Sequence, residues 1–339
     1  MSPAAGEQAG SHGEGKGVEA ERVFIGAGCN RVVNNVSWGA CGLVAFGAQN
    51  AVALFSPLRG EIVTTLPGHK AAVNCTLWLP TKKDVLQARS RETHYLLSGS
   101  ADGAIMVWKI GSGKGEWAAD LQAQSAPVAE IWLWEVGTWK AVGRLQSHNL
   151  TVTQMEFSHD NTFLLSVSRD RHLSIFSIRK TEDGVEHQLV AKHEAHKRII
   201  WACSWNPFGY EFATGSRDKT VKIWCVKDAS SVKLLATLPQ FRDSVTALAW
   251  MGCDRASNAG ILAVGMDNGL IELWSIAGEG HSSPISTVCL HKFDPLLCHV
   301  STVHCLRWRR PDSSNEKSAH ELASSGADHC VRVFEIRDK

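Results

Sequence analysis

Thr214-Gly-Ser-Arg-Asp-Lys-Thr-Val-Lys-Ile-Trp-Cys-Val226 is the stretch that decides the fold. It reads as the end of one strand, a tight polar turn around Asp218, and a second strand with alternating apolar residues up to Trp224. An earlier strand carries Trp205, and His196 stands nine residues before it. The same arrangement recurs, so internal repeats take precedence over any local reading. Aromatics on the second strand are Phe55, Trp108, Phe176, Trp224, Trp274 and Phe334. Six residues before them stand Gln49, Asp102, Asp170, Asp218, Asn268 and Asp328. Four residues earlier again come Ala45, Ser98, Ser166, Thr214, Val264 and Ser324. The earlier strand carries Trp38, Trp78, Phe157, Trp205, Trp250 and Trp308, and nine residues before each lies Cys29, His69, His148, His196, Phe241 or His299.

On these offsets the chain resembles the WD40 family over residues 22–338. The resemblance implies an all-β propeller whose blades are four-stranded antiparallel sheets, with strands a to d running outwards. A buried imidazole, hydroxyl, carboxylate and indole can then satisfy one another and staple the loop before strand a to the b–c turn. His69, Ser98, Asp102 and Trp108 form one such set, and His196, Thr214, Asp218 and Trp224 another. The units ending in Phe176 and Phe334 lack the indole donor. The unit with Phe241, Val264 and Asn268 has lost histidine and hydroxyl together, which is coherent, since a lone buried partner costs more than none.

Spacing along the chain predicts six full units and one remnant. From Phe176 to Trp224 is 48 residues, but from Trp108 to Phe176 is 68. That interval holds a further c-strand, Ile131–Val136, and a d-strand, Ala141–Leu145, with no room for strands a and b before them. Seven blade positions follow, the third half empty. Residues 1–20 are rich in Gly, Ser, Ala and Glu and read as disordered. No d-strand follows Val331–Ile336, so Val23–Ile25 is expected to supply the outer strand of the last blade and cover two edges. Thr81–Thr93 reads as a surface a–b loop.

Composition excludes some classes. A formal net charge of +1 gives no global attraction to nucleic acid or an anionic membrane. No apolar run reaches membrane-spanning length, and Met1–Gly17 lacks the apolar region of a signal peptide. Ten scattered cysteines read as reduced, small apolar residues.

Longer segments carry a narrower resemblance. Ser147-His-Asn-Leu-Thr-Val-Thr-Gln-Met-Glu-Phe157, Arg198-Ile-Ile-Trp-Ala-Cys-Ser-Trp205, Asn34-Asn-Val-Ser-Trp-Gly39 and Leu66-Pro-Gly-His-Lys-Ala-Ala-Val-Asn-Cys75 are similar to the family of second subunits of the Elongator complex. That family has two tandem propellers and is about twice as long. The resemblance places a missing central portion at a join near Gln122–Ala123. It implies a non-catalytic scaffold, cytoplasmic and nuclear, that binds other Elongator subunits and supports wobble-uridine modification of tRNA. The alternative is a general WD40 adaptor that reads a peptide motif in signalling or chromatin.

Arg169, Arg171, Arg217 and Lys219 flank the turn aspartates. They read either as a basic contact patch for an acidic protein or RNA, or as solvated turn residues. His187, His193 and His196, and the pairs Cys298-His299 and His304-Cys305, suggest metal only superficially, because His196 and His299 have repeat roles. Gly111-Ser-Gly-Lys-Gly115 reads as a c–d hairpin, not a phosphate loop. The His, Ser and Asp sets recur and carry a structural explanation, so no catalytic residue, metal or cofactor is assigned.

Overall fold

The computed structural model describes residues 18–338 except 31, 33–34, 80–93, 112–113, 123–129, 136–137, 139, 183, 229–230, 255–258, 279–284 and 310–319. The described residues form an all-β propeller. Its first strand, β1 (Val18–Ala27), is taken up below. Blade one comprises β2 (Val36–Trp38), β3 (Val44–Ala48), β4 (Ala51–Ser56) and β5 (Glu61–Pro67). Blade two comprises β6 (Val73–Trp78), β7 (His94–Ser100), β8 (Ala104–Gly111) and β9 (Lys114–Gln122). Among the described residues the third position holds only β10 (Glu130–Trp134) and β11 (Ala141–Gln146). Blade four is β12 (Val152–Phe157), β13 (Phe163–Ser168), β14 (His172–Thr181) and β15 (Gly184–Glu194). Blade five is β16 (Ile200–Trp205), β17 (Glu211–Ser216), β18 (Val221–Asp228) and β19 (Ser231–Thr237). Blade six is β20 (Val245–Asp254), β21 (Ala259–Met266), β22 (Ile271–Ala277) and β23 (Ser286–Lys292). Blade seven is β24 (Val303–Trp308), β25 (His320–Gly326) and β26 (Cys330–Asp338), closed on its outer edge by β1.

One irregularity identifies every outer pair. Where strands c and d pair, the register shifts just before the repeat aromatic: Leu54/Phe55, Val107/Trp108, Ile175/Phe176, Ile223/Trp224 and Leu273/Trp274. β1 makes the same shift against Val333 and Phe334, leaving Val23 as the unpaired residue. It is therefore a d-strand in full, although it is supplied from the other end of the chain. β10 and β11 shift between Leu133 and Trp134, which marks the remnant as strands c and d. A bulge at one place in every blade bends the sheet in the same way and lets the blades pack alike.

The core is a set of seams between neighbouring blades. Strands b and c are sandwiched on both faces, and every residue of Glu211–Ser216 is buried. Seams join blades one and two around Leu54, Val73 and Trp108, four and five around Ile175, Trp205 and Phe212, and five and six around Ile223, Phe241 and Trp274. Others join six and seven around Leu273, Phe293 and Phe334, and seven and one around Val333, Val36 and Phe55. A sixth joins the remnant's Ile131, Leu133 and Leu145 to Leu164 and Phe176 of blade four. Backbone-directed bonds tie the inner strands: Trp205 Nε1 donates to Glu156 O at 2.9 Å and Trp308 Nε1 to Ala249 O at 3.0 Å.

Three expectations need adjustment. Disorder through residue 20 is overturned at its end, because Val18–Ala20 already pair with Ile336–Asp338. The remnant's c-strand ends at Trp134, short of Val136. Gln49 is not the counterpart of the turn aspartates. The b–c turn of blade one is Gln49-Asn50, one residue shorter than Ala101–Gly103, and its left-handed residue is Gln49 itself (φ 54°). The expected loop Thr81–Thr93 and residue 123 of the expected join lie outside the described residues.

Candidate partner-binding rim

The b–c turns and the loops before strand a meet along one rim, and buried networks fix them there. In blade five Trp224 Nε1 donates to Thr214 Oγ1 at 2.9 Å, and the same hydroxyl lies 2.9 Å from His196 Nε2. His196 Nδ1 is 3.0 Å from Asp218 Oδ2. That carboxylate also accepts from the N–H of Lys197 and of Thr220, both at 3.1 Å. One tautomer satisfies every member: Nδ1–H donates to the carboxylate and Nε2 accepts from the hydroxyl. Blade four repeats this with His148 Nε2–Ser166 at 2.8 Å, His148 Nδ1–Asp170 at 3.2 Å and Asn149 N–Asp170 at 2.9 Å. Blade seven repeats it with His299 2.8 Å from both Ser324 and Asp328. Blade two joins His69, Ser98 and Trp108 at 2.7 and 2.8 Å, while Asp102 accepts from Ser100 Oγ and the Ala104 N–H.

Burial and bonding shift these groups in a consistent sense. Burial pushes the His148 and His299 rings below their ordinary value, against the pull of Asp170 and Asp328, so both rings are held neutral. Burial would raise Asp170, Asp218 and Asp328, but the hydrogen bonds they accept outweigh it. Asp170 is held down by the Asn149 and His172 N–H groups, Asp218 by His196 and Thr220, and Asp328 by His299 and Arg332.

Two members escaped sequence reading. Arg332 is buried and its Nη1 donates to Asp328 at 2.7 Å, setting a positive charge beside the carboxylate of the set. In blade six the missing histidine is replaced by Phe241, whose ring meets Trp274 at 5.6 Å. The Trp274 indole donates instead to Glu272 at 3.1 Å. The signal available was Glu272 two residues before Trp274, where a buried carboxylate demands a donor.

The turns carry the basic residues outwards. Arg169 and Arg217 are exposed, and their backbone N–H groups donate to Thr151 O and Ile199 O. Arg171 pairs with Glu194 at 3.2 Å. Lys219 is half-buried, donates to Arg242 O at 3.1 Å and lies 3.9 Å from Asp243. The exposed Lys197, Arg198 and Arg242 sit in the neighbouring loops of the same rim. The four expected positions thus share a rim, with Arg171 and Lys219 engaged by neighbours and Arg169 and Arg217 reaching solvent. Among the described residues no group of three or more His, Cys, Asp or Glu side chains is placed to hold a metal. The cysteines other than Cys253 are free thiols.

Comparison with known proteins follows the blades. The family described as WD domain, G-beta repeat, matches residues 60–109, 139–177 and 187–225, three stretches that each end at or beside a repeat aromatic. The chain carries WD40 repeats. This WD40 chain is similar to Elongator complex protein 2 of Arabidopsis thaliana, 57% identical over 224 residues, which cover 65% of the chain and 27% of the relative. It is 30% identical to the Dictyostelium discoideum protein of that name over 291 residues, covering 83% of the chain and 31% of the relative. To the Homo sapiens protein it is 30% identical over 318 residues, covering 87% and 36%. The chain therefore spans about a third of the length of these curated relatives.

Proposed function

We propose that this WD40 chain is a non-catalytic scaffold of the Elongator type, which binds other Elongator subunits in the cytoplasm and nucleus and so supports modification of the tRNA wobble uridine. The 57% identity over 224 residues to a protein named Elongator complex protein 2 carries this reading. The architecture supports it. A propeller offers rims and outer strands for interface burial, and the His, Ser and Asp sets are consumed in holding turns. On this reading Arg169 and Arg217 contact an acidic protein surface.

The test is affinity purification of the chain from its source cells, with bound proteins identified by mass spectrometry. Recovery of Elongator subunits, reduced by Arg169→Glu with Arg217→Glu, is the expected result. A soluble, folded chain that recovers none of them would overturn the scaffold reading in favour of a general peptide-binding adaptor.

A further inference from the structure

The run of closely packed a strands passes from β6 through β2, β24, β20 and β16 to β12. Between its two ends lies the third position, where no strand a or b stands among the described residues. Both walls of that gap are apolar and open. From blade two, Leu77 is 55% exposed and Cys75 beside it on the same face is also exposed. From blade four, Met155 and Phe157 are 47% and 43% exposed. The corresponding positions elsewhere are covered: Leu248, the counterpart of Met155, is 1% exposed and Trp205, the counterpart of Phe157, is 3%. β10 and β11 do cover the outer part of the blade-four wall, Leu164 and Phe176, but they stop short of strand a. Among the described strands β10 pairs only with β11, so no described strand takes up the backbone donors and acceptors of its inner edge.

We propose that this gap is the docking site for a β-hairpin from another polypeptide, which adds to β10 as strands a and b. The six complete sheets state what fits there: two antiparallel strands, paired to a c-strand. β12 and β13, of six residues each, set the size. A hairpin of that size, enclosed on both faces, removes on the order of 1,500 Å2 from water, within the range of stable specific complexes. Main-chain bonds to β10 supply register and the walls supply selection. Leu77, Cys75, Met155 and Phe157 carry no charge, so the hairpin is apolar on both faces. A charged or nucleic-acid ligand would be stripped of water there without compensation. The inference stands apart from the Elongator reading, since it rests on the blade count, the exposed walls and the edge of β10.

The test uses the full chain and a synthetic peptide with the sequence of residues 200–216, the strand a–b hairpin of blade five, whose first strand carries no charge and whose Glu211 is bonded to Asn206 within the hairpin. Saturable one-to-one binding is expected, together with slowed amide exchange over residues 130–134. Leu77→Arg and Phe157→Glu are each expected to weaken binding by about tenfold or more. Leu58→Arg, at a fully exposed turn on blade one, is expected to leave it unchanged. Circular dichroism confirms that each variant is folded. Absence of saturable binding overturns the proposal, as does equal binding by folded Leu77→Arg or unaltered exchange over 130–134. Concentration-dependent dimers that protect 130–134 without peptide also overturn it, assigning the gap to a second copy.

Discussion

The Thr214 hydroxyl can serve both neighbours at once, taking a hydrogen bond from Trp224 and giving one to His196. Thr214→Val is nearly the same shape but leaves an indole N–H and an imidazole nitrogen unpaired in a dry site. Denaturant unfolding should show a loss of about 1–3 kcal/mol. Asp218→Ala removes the acceptor for His196, Lys197 N and Thr220 N together and should cost about 2–4 kcal/mol. An unchanged unfolding midpoint for Asp218→Ala would sink the structural assignment. Acid should act in two steps. His148 and His299 are held below 6.5, so the unfolded chain binds more protons in the window just beneath that value. Their contribution is complete above about pH 6.5 and declines as the pH falls through their folded values. Asp170, Asp218 and Asp328 are lowered too, so theirs is complete above about pH 4 and lost below it. The urea midpoint should therefore already fall between about pH 7.5 and 5.5; a flat midpoint there would contradict the neutral, buried histidines. Histidine, hydroxyl and aspartate were legible because their offsets repeat. Arg332 was not, since it lies in a strand where alternation places half the residues inwards and sequence does not say which charge will follow.

Elements repeat at the level of backbone conformation as well. The residue after each turn aspartate is left-handed: Gly103 at φ 82°, Arg171 at 71°, Lys219 at 68°, His329 at 61°. Gly269 takes the same place at 87° after Asn268, and a Cβ there would sit 2.1 Å from His299 O. A side chain is tolerated at Lys219 only against a steric penalty of about 1 kcal/mol, so Lys219→Gly should leave stability unchanged or raise it by up to about that amount. A loss above about 2 kcal/mol in thermal unfolding would show that the Lys219 contacts to Arg242 O and Asp243 outweigh the backbone strain. The inner and middle strands were readable from their apolar patterns because both faces are buried. The outer strands were harder. β15 and β19 are mostly exposed, so solvent imposes little pattern on them, and the bulge breaks what alternation remains. β1 could be placed by counting missing strands, but its extension back to Val18 could not, since Val18–Ala20 sit in a Gly- and Glu-rich context.

At the scale of the molecule, stability is distributed over seams rather than held in one central core. Adjacent blades share each seam, so a fault is felt by two sheets. Phe334 belongs to the seam between blades six and seven and faces Phe293 at 4.9 Å; Phe334→Ala should cost about 3–5 kcal/mol by calorimetry or denaturant. The half-empty third position was visible in the spacing between Trp108 and Phe176, but the state of its walls was not. Exposure of Leu77 and Phe157 depends on which neighbours are absent, and that is a property of three-dimensional closure, not of any local pattern.

The pairing of β1 with β26 has a consequence in time. Ala27 and Cys330 are register partners at opposite ends of the domain. On a ribosome adding about 5–20 residues per second, β1 emerges roughly 15–60 s before its partner exists. Through that interval β1 is a bare strand ahead of a series of finished blades. Closure of blade seven thus waits for the last strand of the domain, and its contacts join residues about 300 apart, the slowest kind to form. A chaperone that shelters one extended segment, rather than a collapsed globule, is what such a biogenesis calls for.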